Sequence, residues 1–275
     1  MNIVGICRFS LLGRGDWKAY RDKSDDEVEA IAAEQAKILF APERMEKRLA
    51  TFEHLTLASL RAQTDQDFKF IVAASESMPM KYRRRLLEMC AAVPQVYVRF
   101  FELCDIGEAQ DKVFAELGIS LHDTLQFRLD DDDALSVNFV RKKREAAALL
   151  MPSAMPFTIS FREFMFCAKG GEHAGVYNMA EPFLGVGVAL RHPTKSVYAF
   201  GHFALPRRFT GITIPGGSAI VTHSGLNDTP FDLARIRRQK MTRMDETAIR
   251  KNCDLHFPFL SSTAKAIVGL EEETA

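Results

Sequence analysis

Four short β-rich apolar runs, residues 2–9, 69–74, 96–101 and 124–129, are separated by segments whose apolar residues recur at helical spacing. Few architectures accommodate this alternation, because strand, helix and strand in series close as a right-handed crossover between parallel neighbours. The intervening helices carry their own signals. Ser24 and Glu27 form a capping box ahead of Val28, Ile31, Ile38 and Leu39. Pro42 divides that helix from one bearing Met45, Leu49, Phe52 and Thr56. Tyr82, Leu86, Met89 and Val93 mark the next; a short helix from Glu108 stops at Gly118, and another runs from about Val137 to Leu150. The spacing therefore predicts an α/β fold with a mixed, mostly parallel central sheet flanked by helices.

Beyond Pro156 the texture turns to short strands, residues 158–166, 175–177 and 183–190, with a hairpin expected within 210–223 around Pro215-Gly216-Gly217. Helical character returns over 231–251. The change near residue 152 is read as a smaller β-rich half of one domain spanning 1–275. Lys plus Arg and Asp plus Glu are 36 each, so no global field favours nucleic acid or an anionic membrane, and any anion site must be local. The five cysteines lack paired spacing and are expected as buried free thiols. The opening apolar run is too short and polar for a signal or membrane span, so a cytoplasmic protein without a span is expected.

The run Leu125-Gln-Phe-Arg-Leu-Asp-Asp-Asp-Asp-Ala-Leu drives an apolar strand into four carboxylates. In an open α/β sheet that end of a strand faces the ligand crevice. Alternate residues of extended chain point the same way, which groups Asp130 with Asp132 and Asp131 with Asp133. Adjacent carboxylates repel one another without a cation, and hard oxygen ligands suit magnesium or manganese sharing its coordination sphere with substrate phosphates. The alternatives are capping of the helix starting near Ser136, or a calcium loop, for which the spaced oxygens and central glycine are missing.

Leu129-Asp-Asp-Asp-Asp resembles the D-x-D signature of GT-A glycosyltransferases. Arg8-Phe9, Arg48, Phe52, Ser59-Leu60-Arg61-Ala62-Gln63-Thr64-Asp65, Asp67-Phe68 and residues 129–133 together are similar to a bacterial rhamnosyltransferase family. The resemblance covers most of residues 1–150. It implies a GT-A nucleotide-sugar-binding half over 1–150, and an acceptor half with a C-terminal helical segment over 151–275. It implies a nucleoside-diphosphate sugar donor with rhamnose as a candidate sugar, a glycan or lipid-linked acceptor, and a divalent metal, Mn2+ or Mg2+. Asp130 would lie near the ribose or metal, Asp132 would coordinate the metal with Asp133 as a substitute, and the loop from Arg8 would touch the nucleotide. Relatives carry an aspartate at the end of the second strand where this chain reads Ala74-Ser-Glu-Ser, which leaves Glu76 or the serines for base or ribose.

Other residues have two readings each. Arg8 suits a bidentate phosphate contact or a surface ion pair. Arg44 and Arg48, four apart on one helix, suit phosphate or local pairing with Glu43 or Glu46. His223 ends an expected strand and matches a late metal-ligand histidine of several GT-A enzymes, against a structural histidine; His202 and His173 are secondary candidates. The basic stretch 235–243 could close over a diphosphate or form a solvated helix face. Glu181 and Asp228 are base candidates for an inverting transfer, with Glu163 and Glu172 also available. Rival readings are an inactive glycan-binding or regulatory protein of the same shape, and a sugar nucleotidyltransferase, for which Gly13-Arg14-Gly15 is only a fragment of the required loop.

Overall fold

The computed structural model describes residues 1–13, 23–153, 155–224 and 230–270. Strands β1 (Asn2–Phe9), β2 (Lys69–Ser75), β3 (Val96–Phe101) and β4 (Thr124–Arg128) are mutually parallel, with β1 between β2 and β4. Between β1 and β2 run α1 (Asp25–Leu39), capped by the Ser24–Glu27 box, and α2 (Pro42–Thr51), which continues through a π-helical turn (Phe52–Leu57) into α3 (Ala58–Arg61). Helix α4 (Met80–Cys90) links β2 to β3, and α5 (Ile106–Glu116) links β3 to β4.

The two-residue period of β1 separates two cores. Ile3, Cys7 and Phe9 pack with Met45, Leu49, Phe52, Tyr82 and Leu86 on one face, and Val4 and Ile6 pack with Ile106, Val113 and Phe114 on the other. All five cysteines are buried and free.

After β4 come β5 (Ala134–Leu135), α6 (Phe139–Leu150), β6 (Phe157–Ala168), β7 (Gly175–Met179), β8 (Ala189–Arg191), α7 (Leu205–Arg208), β9 (Thr210–His223), α8 (Leu233–Arg238), β10 (Thr242–Arg243), α9 (Glu246–His256) and α10 (Ser262–Val268). β8 lies antiparallel between β4 and β6, so one sheet in the order β10-β7-β6-β8-β4-β1-β2-β3 runs through both halves, with β9 parallel to β6 and antiparallel to β5.

Three expectations of the second half are corrected. The strand anticipated over 183–190 shrinks to β8, because Phe183 and Gly187 take φ values of 62° and 71° and turn the chain. A Cβ on Gly187 would lie 2.6 Å from Phe139 Cε2, so glycine answers both the dihedral and the space. The expected hairpin is instead the single strand β9: Gly216, at φ 87°, sits in a bulge where Phe161 and Glu163 of β6 face Ile214 and Gly217, and the strand bends without reversing. The helix expected over 231–251 is broken at Lys240, φ 49°, and Asp232 and Asp245 cap α8 and α9 separately by accepting from the Arg235 and Ala248 amides.

Lys143 of α6 is fully buried. Its Nζ donates to the Ile159 carbonyl at 2.6 Å and lies 5.3 and 5.1 Å from the ring centroids of Phe139 and Phe161. Burial pushes its pKa well below the usual lysine range.

Candidate functional site

The chain places β2 and β3 on one side of β1 and then crosses to β4 on the other, so the carboxyl ends of β1 and β4 diverge at a switch point of the sheet. β1 delivers Arg8 there and β4 delivers Asp130 to Asp133. A cavity of about 1020 Å³ opens at this position, lined by these residues together with Arg44, Arg48, Glu181, His202 and His223.

The acidic run alternates as its spacing predicts. Asp130 is exposed and Asp132 half-buried, whereas Asp131 and Asp133 are buried at 4% and 3% exposure. None of the four caps α6: β5 intervenes, and Asn138 occupies the cap position. The buried pair is held by the protein instead. Thr51 and Thr56 hydroxyls donate to the Asp131 and Asp133 carbonyls at 3.3 and 2.9 Å. From β9, the Thr222 amide donates to Asp133 Oδ1 and its hydroxyl to the Asp132 carbonyl, each at 2.9 Å. Asp133 thus ties the loop to β9, and burial pushes its pKa well up despite that bond.

Arg48 was expected to pair with Glu43 or Glu46, or to contact phosphate. It reaches 83 positions along the chain to form an ion pair with Asp131, and its Nη1 lies 3.3 Å from Asp132 Oδ2. Glu46 pairs with Arg85 at 2.5 Å. Burial raises the Asp131 pKa to about 7, against the opposing Arg48 charge and with help from Asp132 and Asp130. Arg48 is held firmly protonated by Asp131.

Arg8 lies with its guanidinium carbon 5.3 Å from the Tyr198 ring centroid, and Arg128 stacks on the same ring at 4.4 Å. Tyr198 Oη donates to the Ile6 carbonyl at 2.9 Å, and Arg128 Nη2 donates to the Val197 and Phe200 carbonyls. This aromatic platform beneath Arg8 had no sequence signal, since a lone tyrosine in irregular chain carries none. Arg235 and Arg238 of α8 line the cavity, although α8 is only a fragment of the helix expected there.

Glu181 lines the cavity, and Asp228 lies outside the described residues. Glu76 is exposed at the end of β2, donating its amide to the Phe101 carbonyl, and does not line the cavity. His202 is on the cavity wall with Nδ1 2.8 Å from the Phe183 carbonyl; burial lowers its pKa, so the ring is neutral at pH 7, with Nδ1 carrying the proton. His223 lines the same cavity as Asp132, its ring 5.6 and 6.2 Å from those of Phe231 and Phe166. His173 packs edge-on to Phe231 and is not part of the wall.

Among the described residues no three His, Cys, Asp or Glu side chains form a preset metal cluster. The donors fit a hard cation of the kind that takes one or two protein carboxylates and completes its sphere with phosphate and water, because Asp130 and Asp132 line the cavity and are the more exposed of the four carboxylates.

Residues 2–236 match the family described as "Putative rhamnosyl transferase". Similar solved structures include TarS of S. aureus in complex with UDP-GlcNAc, 13% identical over 64% of this chain and 36% of that chain, TM-score 0.31. Another TarS structure is 11% identical over 81% and 37%, TM-score 0.40. A "putative nucleotide-diphospho-sugar transferase" from Desulfovibrio desulfuricans G20 is 11% identical over 93% and 97%, TM-score 0.35. The chain spans between 36% and 61% of the TarS chains it matches. A search of curated proteins found no match. The family match runs from β1 into α8 and takes in the acidic run and every arginine discussed except Arg238; the chain belongs to this rhamnosyl transferase family of glycosyltransferases.

Proposed function

We propose that the protein transfers a sugar, rhamnose in the reading the family description favours, from a nucleoside-diphosphate donor to a hydroxyl of a glycan. One observation carries the proposal: at the switch point of the sheet, two outward carboxylates, Asp130 and Asp132, share a cavity with Arg8, Arg44, Arg235 and Arg238. That combination suits a diphosphate and a divalent cation together, with the arginines balancing phosphate charge.

Asp130 and Asp132 would hold the cation, Mn2+ or Mg2+, which when bound supplies Lewis-acid stabilisation of the departing diphosphate. Arg8, backed by Tyr198, is placed to fork onto a phosphate. Asp131 and Asp133 touch the cavity wall but are buried and engaged by Arg48 and Thr222, so they fix the loop that presents the other two. For removal of the acceptor proton the cavity offers Glu181 and His202, whose Nε2 is left as an acceptor when Nδ1 donates to Phe183. The buried free thiols and the absence of a membrane-crossing helix among the described residues are compatible with work in the cytoplasm.

The test is calorimetry of UDP, GDP and dTDP with and without manganese on wild type and Asp132→Asn. The amide keeps the size and loses the charge, so manganese-dependent binding should weaken by about 1.5–3 kcal/mol in a folded variant. Unchanged affinity in both Asp132→Asn and Asp130→Asn removes the metal role. Absence of nucleoside diphosphate binding in wild type removes the transferase reading.

A further inference from the structure

A second cavity, of about 250 Å³, opens beside the first and shares Arg44, Arg48, Asp132, Thr222 and His223 with it as a common wall. Its far side has a different character. Ala50, Cys167, Ile267 and Val268 make an apolar floor, and Lys47 of α2 and Lys169, just after β6, stand over it. Lys47 Nζ donates to the Ser224 carbonyl at 3.4 Å, and Lys169 Nζ donates to the Ala266 carbonyl at 2.7 Å. Among the described residues neither ammonium forms an ion pair with a carboxylate.

Two lysines from distant parts of the chain are thus held side by side by neutral carbonyls over an apolar surface. Partial burial lowers the Lys47 pKa, and the Lys169 charge lowers it further. Glu43 and Asp132 offset part of this cost without forming an ion pair with Lys47, and an anion bound between the two lysines would offset more. The floor also depends on α10, which lies beyond residues 2–236 that match the family, so this cavity is built partly by a segment outside the shared region.

We propose that this cavity is a subsite for an anionic group, carboxylate or phosphate, carried by the acceptor glycan and held by Lys47 and Lys169. The acceptor hydroxyl would then lie across Asp132 in the larger cavity. Only the identification of the bound glycan as acceptor rests on the glycosyl-transfer reading above; the anion site itself does not. The apolar floor suits the carbon skeleton of the charged residue, since lysines over hydrocarbon recognise an acid best when the acid's own backbone covers the surface that water would otherwise wet.

The experiment is calorimetric titration of the full chain, with and without manganese and a saturating nucleoside diphosphate. The probes are methyl glucuronide, glucose 6-phosphate and neutral methyl glucoside, on wild type and on Lys47→Gln/Lys169→Gln. Both lysines are exposed at the rim, and a thermal melt of the variant establishes that it folds. The expected result is at least tenfold tighter binding of one or both acidic sugars than of the neutral one, lost in the double variant, with nucleoside diphosphate affinity unchanged within twofold. Which acid binds tighter identifies the group as carboxylate or phosphate. Equal binding of acidic and neutral sugars, or undiminished acid binding in the variant, overturns the proposal. A parallel fall in nucleoside diphosphate affinity also overturns it, by assigning the cavity to the donor. Acid selection through the two lysines in a chain that binds no nucleoside diphosphate would keep the anion site and discard the transferase reading.

Discussion

Replacing Arg48 by methionine should give a destabilisation that grows with pH. Asp131 is buried, and its pKa stands at about 7 even with Arg48 beside it. In the unfolded chain the same carboxyl titrates near 3.9. Between these values the folded protein keeps a proton that the unfolded chain has released, so stability falls as pH rises, by about 1.4 kcal/mol per pH unit. In wild type that fall stops near pH 7, where Asp131 ionises against the guanidinium. In Arg48→Met the carboxyl loses its counter-charge, stays protonated and continues the decline. Near pH 7 the variant should therefore lose only the charge-assisted hydrogen bonds, about 1.5–3 kcal/mol, because protonation shields it from the full cost of a bare buried charge. By pH 8.5 the gap should widen by about 2 kcal/mol more. Asp133 titrates alike in both proteins and cancels. Urea unfolding followed by circular dichroism at pH 6, 7 and 8.5 measures the difference directly. A gap that is constant across that range, or largest at pH 6, would refute the role given to the Arg48–Asp131 pair.

Lys143 should show the opposite sign. Its folded pKa is depressed, so the unfolded chain binds the proton that the folded one lacks, and stability rises with pH up to the unfolded lysine value. The stability of Lys143→Met relative to wild type should fall between pH 7 and 9.5, by up to about 1.4 kcal/mol per pH unit, and a margin independent of pH would mean that Lys143 keeps its charge in the core. For Arg8, nucleoside diphosphate binding should weaken less in Arg8→Lys than in Arg8→Ala, since lysine keeps the charge without the planar fork; wild-type affinity in both would make it a purely structural arginine. His223→Ala and Asp132→Asn should be non-additive in manganese-dependent nucleotide binding if the two share an ion, and strict additivity would separate them.

What the sequence made legible is what local periodicity governs. The strands β1 to β4, the capping box at Ser24 and the break at Pro42 depend on residues a few positions apart, and all stand where the spacing puts them. The same period of two sorted the aspartates into an outward pair and a buried pair. Arg48 was misread because its local neighbours Glu43 and Glu46 were visible while Asp131, 83 positions away, was not a neighbour until the sheet formed. Pro215-Gly216-Gly217 carried turn chemistry that β6 overrides, since a long parallel partner converts a potential reversal into a bulge. The Tyr198 platform and the buried Lys143 owe their positions wholly to tertiary packing, and no local pattern marks them.

The bonds from Thr222 to Asp132 and Asp133 join residues 90 and 89 positions apart. Contacts of that sequence separation form late, because the loop they close must first surrender its conformational freedom. During synthesis the four carboxylates therefore emerge well before the strand that clasps two of them, and they wait as a repelling cluster. The loop gains its observed shape only when β9 pairs with β5 and β6. A nascent fragment ending before residue 222 would carry the acidic motif without the bonds that shape its loop.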